Sequence, residues 1–302
     1  MSAYRFCRTD DIQLLVEALN RCWLPYFPDE GPMTAAAFKR SIRDLQVWCS
    51  SCMVAFSGSD PIGVLIGAKR ASATLIHKIA VHPDHRRQGH ARHLLGSLAS
   101  KLAILGPPRI VAEVPERLVP ARGLFEACGY VTEAAVSDYA LETVGPAPRH
   151  HGQSDRPPGA GTGGADAPVT GFVIPVTVDD LTANGVITDA AQPVCWARSL
   201  ETLSARKGDI AGVALASDER IEAFVLYLED RPEQAEIVLL GSSVGDGGAR
   251  VMQLLRHLRA HGVTTLRFPK VHPTEVPSGW LQRFGFNPAG VHFLLAARAR
   301  PS

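Results

Sequence analysis

The same order of segments occurs twice along these 302 residues, on either side of one stretch that no hydrophobic core can absorb. Gly145 to Thr170 contains PAPRHHGQSDRPPGAGTGGADAP, with no apolar periodicity. Such a composition buries too little surface to offset the entropy of ordering. It reads as a flexible linker over 146–170, between a domain at 1–145 and a second at 171–302. Phe172-Val173-Ile174-Pro175 echoes Tyr4-Arg5-Phe6-Cys7, and Asp179-Asp180-Leu181 echoes Asp10-Asp11-Ile12. Gly248-Ala249-Arg250 with Leu254, Leu255 and Leu258 echoes His90-Ala91-Arg92 and its leucines; Leu281 to Phe286 echoes Phe125 to Tyr130. A repeat this long is a duplicated domain and not a solenoid, whose units span roughly 20–50 residues.

With 46% hydrophobic residues the chain has material for two cores. A formal net charge of +1 exerts no global pull on nucleic acid or on an acidic membrane. No run approaches the ~18 apolar residues of a membrane span, and MSAYRFCRTDDIQ has no signal-peptide pattern. A cytoplasmic protein is expected, without nucleic-acid or membrane partners; a homodimer stays open. Six cysteines in such a chain are expected as thiols. Cys49 and Cys52 form a C-x-x-C, but they follow a helical run and precede a strand. A redox pair needs the reverse order, with its first thiol at a helix N-terminus.

Within the first half, strands are expected at Tyr4–Arg8, Met53–Phe56, Ile62–Gly67, Thr74–Val81, Arg109–Val114 and Val136–Leu141. Helices are expected after the Asp10-Asp11 cap, over Thr34–Leu45, over Gly89–Leu105 with leucines at helical spacing, and over Pro120–Cys128 before Gly129.

Chemistry concentrates in Ile76-His77-Lys78-Ile79-Ala80-Val81-His82-Pro83-Asp84-His85-Arg86-Arg87-Gln88-Gly89-His90-Ala91-Arg92. A strand ends, a turn with two arginines and a glycine follows, and a helix begins. The first amides of a helix have no intrahelical acceptor, so they form an anion cradle with the positive helix end. Gly89 admits a close backbone approach, and Arg86 and Arg87 add charge. The bland alternative is a tight turn with solvated arginines. The dinucleotide and Walker glycine patterns are absent. His77, His82, His85, His90 and His93 mix strand, loop and helix positions without zinc-site spacing, so no metal is expected.

Val81-His82-Pro83 followed by Arg86-x-x-Gly89-x-Ala91 resembles the acetyl-CoA motif [QR]-x-x-G-x-[GA] of the GNAT acyltransferase superfamily. Ala121 to Tyr130 resembles the family's later A-x-x-x-Y-x-x-x-G-F helix and turn, and the element order agrees over about residues 3–143. The resemblance implies an α/β chain of two tandem GNAT-like domains, each a mixed, splayed, mainly antiparallel sheet flanked by helices. It implies acetyl-CoA as co-substrate and a primary amine of a small molecule as acceptor. It also implies a V-shaped cleft between Leu75–Val81 and Ile110–Val114. The pantetheine arm would pair with the backbone of Ile79 and Val81, past Ala80. The diphosphate would lie on Arg86, Arg87, Gln88, Gly89, His90, Ala91 and Arg92.

Leu75 stands where many members carry a basic glutamate. His77, two residues on, is the first candidate for the base and Glu113 the second; a packed core histidine is the alternative for His77. Phe125 stands where the family's tyrosine acid belongs, which keeps a non-catalytic coenzyme A-binding module in play. A nucleic-acid binder using His85 to His93 is a third reading. Trp23, Tyr26, Asp29 and Glu30 are candidates for the acceptor wall, or else a hydrophobic loop with a solvated acidic turn. In the second half Val244-Gly245-Asp246-Gly247-Gly248-Ala249 keeps glycines, loses both arginines and gains a carboxylate. The active site is therefore expected in the first half.

Overall fold

The computed structural model describes residues 2–142, 171–188, 194–231, 233–277 and 279–300. The expected linker at 146–170 lies outside them. The first half runs β1 (Ser2–Phe6), α1 (Ile12–Cys22), α2 (Ala35–Leu45), β2 (Met53–Ser57), β3 (Asp60–Lys69), β4 (Thr74–Val81), α3 (His90–Leu105), β5 (Arg109–Pro115), α4 (Val119–Ala127) and β6 (Val131–Glu142). The second half repeats the series: β7 (Phe172–Pro175), α5 (Val178–Ala183), α6 (Leu200–Ala205), β8 (Ile210–Ala216), β9 (Ile221–Arg231), β10 (Gln234–Ser242), α7 (Ala249–Ala260), β11 (Thr265–Val271), α8 (Trp280–Arg283) and β12 (Asn287–Arg298).

Local chemistry sets most boundaries. Thr34 Oγ1 accepts from the Ala37 amide and opens α2, while Thr177 and Asp180 form a reciprocal capping box at α5. Asp11 starts α1 differently from the expected cap. Its carboxylate accepts from the Arg8 amide at 2.7 Å and pairs with Arg5 at 2.9 Å, leaving the first helical amides alone. β3 is buried on both faces, as its near-continuous apolar sequence requires.

The two halves share one twelve-stranded sheet in the order β1-β2-β3-β4-β5-β12-β6-β11-β10-β9-β8-β7. The last strand of each half crosses to the other. β12 pairs antiparallel with β5, β6 pairs antiparallel with β11, and β6 and β12 pair with each other at the centre. Core residues cross with them. Leu295 of β12 is fully buried among α3 and α4 side chains, Leu141 of β6 packs among those of α7 and α8, and Trp196 joins the core beneath α1 and α2. The Trp196 indole also donates to Leu45 O at 2.9 Å, under an Arg70 guanidinium 3.9 Å from its ring.

Helices cover both faces of the first half. α1 and α2 bury Leu15, Leu19 and Phe38 against one face, and α3 and α4 bury Leu94, Leu98 and Phe125 against the other.

Because β12 sits between β5 and β6, the halves should lose structure together. Truncating a buried leucine costs about 2–5 kcal/mol. Leu295→Ala should therefore raise hydrogen–deuterium exchange in β3 and in β10 alike. Faster exchange confined to the first half would show that the halves open independently.

Candidate active site

The cleft begins at an irregularity in β4. Ile66 pairs with Lys78 and Gly67 with Ile76, so His77 has no partner on β3 and forms a bulge. A bulge bends and twists its strand. β4 meets β5 only at Thr74↔Ile110 and Leu75↔Val111, and beyond these pairs the strands diverge. The His82 amide donates to Ile62 O at 2.8 Å, so residue 82 faces β3 and Val81 faces the gap. By the same alternation Ile79 faces the gap, while the Ala80 side chain packs into the core under α1 and α2. The gap thus leaves this stretch of β4 without a neighbouring strand on that side.

At the end of this edge Pro83–His85 makes one 3-10 turn, and Arg87 and Gly89 adopt left-handed φ values of 62° and 85° before α3. The main-chain N–H groups of Arg87, Gln88, Gly89, His90, Ala91 and Arg92 have no acceptor among the described residues. Six consecutive donors at a helix start make a nest for an anion. Arg87 and Gln88 point into solvent beside it. Arg86 turns away: its Nε donates to Tyr26 Oη at 2.5 Å and its guanidinium lies 4.3 Å from that ring. The Tyr26 hydroxyl in turn donates to Val81 O at 2.7 Å. Tyr26 thus stands at the open end of β4. The His90 ring points inward, 2.6 Å from the Tyr4 hydroxyl, so only its amide serves the nest.

The face under α1 and α2 carries the charged groups. Glu113 is buried; its carboxylate accepts from the Trp196 amide and from Lys270 Nζ, each at 2.8 Å. Burial by itself would raise this carboxyl, but the Lys270 ammonium and the Trp196 amide outweigh it and hold it below the ordinary range. Burial likewise pulls Lys270 down, and the Glu113 charge more than offsets that. Lys270 has φ 51°, and its amide donates to Asp138 Oδ1, whose Oδ2 lies 2.9 Å from His292 Nε2. His77 lies near enough to feel this pair. Burial first, then the Lys78 and Lys270 ammoniums, push its imidazolium down to about 3 against the pull of Glu113.

Trp23, Glu30 and Lys78 close the outer wall. Lys78 Nζ lies 2.7 Å from Glu30 Oε2 and 4.1 Å from the Trp23 ring, and the Trp23 indole donates to the same carboxylate. Asp29 is exposed and unpaired among the described residues. Sequence reasoning missed Lys78, Trp196 and Lys270. Lys78 lay inside the informative run; the other two come from the second half, and only the strand exchange brings them here.

Phe125 sits in the core under α4, 5.0 Å edge-on to Tyr130, and offers nothing to the cleft. The Cys49 and Cys52 thiols are buried, and burial raises both. Among the described residues no three His, Cys, Asp or Glu side chains are grouped to hold a metal ion.

The second half repeats the turn but fills it. Asp246 accepts from the Gly248 and Arg250 amides at 2.9 and 3.0 Å, so its own carboxylate occupies the nest of α7. Phe284 and Trp280 lie so close to Gly248 that a Cβ there would come within 2.7 and 3.0 Å of them.

Residues 12–130 match the family model of the acetyltransferase (GNAT) family. The tandem GNAT protein of the clavulanic acid biosynthesis pathway superposes over 100% of both chains at 16% identity, with a TM-score of 0.63. A GCN5-related N-acetyltransferase from Sphaerobacter thermophilus does so over 100% of this chain and 96% of its own, at 16% identity and TM-score 0.64. Another from Anabaena variabilis covers 99% and 73% at 11% identity, with a TM-score of 0.60. At these identities the likeness speaks for the fold. The match to the acetyltransferase (GNAT) family thus lies in the first half, and the whole chain has the fold of these tandem GNAT proteins.

Proposed function

We propose that this chain transfers the acetyl group of acetyl-CoA to a primary amine of a small molecule, by direct attack in a ternary complex. The observation that carries the reading is the run of six free amides from Arg87 to Arg92, set where β4 leaves β5. The nest suits a diphosphate, with Arg87 beside it. The open edge at Ile79 and Val81 suits the amides of an extended pantetheine arm. A β4 amide at the splay would polarise the thioester carbonyl and stabilise the developing oxyanion. The amine nitrogen bonds to the carbonyl carbon, the carbon–sulfur bond breaks, and the thiolate departs with its electron pair. A thiol pKa near ~8.5 makes it a fair leaving group without a dedicated acid, which accommodates the core position of Phe125.

Neutral His77 and ionised Glu113 divide the polar work at the acceptor face. Glu113 is occupied by Lys270 and Trp196, so it supplies fixed charge. His77 remains neutral and available to accept a hydrogen bond from the amine. With its imidazolium at about 3 it is a feeble base, and the amine proton passes on to water. Trp23, Glu30 and Lys78 wall an entrance suited to a small amine.

The same two facts, a weak base and no α4 hydroxyl, favour a second reading in which coenzyme A binds without turnover. Thiol release from acetyl-CoA against a broad amine panel separates the two: release supports transfer, and silence supports the binding module.

Calorimetry with coenzyme A should show one site per chain, because Asp246 already fills the second nest. Arg87→Glu should weaken binding by about tenfold or more, the scale of a lost charge-assisted contact. Two sites per chain, or an unchanged affinity in the variant, would overturn this assignment.

His77 also gives a pH signature. An unfolded histidine takes its proton near pH ~6.5, whereas His77 in the fold takes it near about 3. Between these values the unfolded chain holds more protons, so stability rises with pH. The contribution is complete above the upper value and is lost as pH falls toward the lower. Urea midpoints at two pH values, one in this window and one above it, should differ less in His77→Asn than in the wild type.

A further inference from the structure

Residues 23–32, between α1 and α2, are fastened to both strands of the cleft at the end where they diverge. They make two short 3-10 turns, Leu24–Tyr26 and Pro28–Glu30, in which no residue is buried. Trp23 and Glu30 hold Lys78 of β4. Phe27 stacks on Trp23 with ring centres 4.2 Å apart, and the Arg117 guanidinium, two residues beyond β5, lies 5.7 Å from the Phe27 ring. Tyr26 reaches the last residue of β4: its hydroxyl donates to Val81 O and accepts from Arg86. These ties are polar and peripheral. An exposed ion pair stabilises little, and a segment with few buried contacts opens at low cost.

Tyr26 occupies two groups at once. Val81 O faces the gap, where an amide N–H of an arm laid along β4 would need an acceptor, and the Tyr26 hydroxyl already sits on it at 2.7 Å. Arg86 directly precedes Arg87, the first donor of the nest, yet the same hydroxyl holds its Nε at 2.5 Å and the same ring lies 4.3 Å from its guanidinium. An arm on the strand and an anion on the nest therefore compete with one side chain. Displacing Tyr26 frees an acceptor for the first and a cation for the second. Tyr26 does not move alone. Pro25 stiffens the chain on one side of it, and on the other Phe27 is stacked on Trp23, so its displacement disturbs the Trp23–Glu30–Lys78 group.

Resting on the coenzyme A reading above, we infer that Tyr26 is a latch that closes the empty cleft and that coenzyme A displaces on entry. Its release hands Val81 O to the pantetheine arm and Arg86 to the diphosphate, and it loosens the wall of Trp23, Glu30 and Lys78. Arrival of the cofactor is thereby coupled to access for the amine, and because both act on one segment the coupling is reciprocal.

Calorimetry of coenzyme A with the full chain, as wild type and as Tyr26→Phe, tests this. Phenylalanine keeps the ring beside Arg86 and removes the hydroxyl. The variant should bind about three- to tenfold more tightly, the scale of one hydrogen bond that no longer has to break. Misfolding cannot produce such a gain. Hydrogen–deuterium exchange over residues 24–31 gives a second readout on the wild type alone. It should rise when coenzyme A is added, and in Tyr26→Phe it should be raised already without ligand. Equal or weaker binding by the variant, or wild-type exchange that slows or stays level with coenzyme A bound, would overturn the latch while leaving the coenzyme A reading in place. Binding by neither protein would overturn both.

Discussion

The antiparallel pairing of β6 with β12 at the centre of the sheet is the contact on which the remaining architecture depends. Each strand belongs by sequence to one half and by neighbours to both. β5 and β11 would otherwise present long, largely apolar edges, which are open templates for misassociation. The exchange covers both edges and merges the cores, with Leu295 placed under α3 and Leu141 under α7. The second half, without an open anion nest of its own, thus contributes its last strand, Trp196 and Lys270 to the first half.

A comparison of the two nests shows how little separates a ligand site from a structural turn. Gly89 and Gly248 have nearly the same left-handed φ, 85° and 89°, and each opens a helix at the same place in its half. In the first, six amides have no acceptor among the described residues. In the second, Asp246 supplies its own anion, and Arg250 pairs with both Asp246 and Glu222. An internal carboxylate satisfies the same donors a phosphate would, without the entropy of capturing a ligand. One side chain thus turns a binding site into a self-capped helix.

On the face under α1 and α2, burial and pairing act in opposite directions on neighbouring groups. Glu113 is buried yet ionised because Lys270 and the Trp196 amide stabilise its charge; His77 is neutral because burial and two ammoniums oppose its charge. Lys270 of the second half contributes to both. The cleft is thus electrostatically a joint product, even where its backbone belongs to β4 and β5.

Much was legible in the linear chain for identifiable reasons. The turn from Val81 to Ala91 depends on local backbone chemistry, and its helix start at Gly89 stands where the sequence placed it, while Arg86 pairs with Tyr26 instead of standing beside the nest. The leucine spacing of α3, the Thr34 cap and the repeated element order are local in the same sense. By itself the sequence determined the fold class, the duplication and the loss of cations at Val244–Ala249. Tertiary structure alone decided the rest. Nothing local to Asn287–Arg298 says which strands will flank it, because either half's edge offers the same hydrogen bonds and apolar faces. Consequently Lys270 and the Trp196 amide on Glu113 could not be read from spacing. Those meetings depend on pairing between residues up to some two hundred positions apart, and only the closed sheet specifies that pairing.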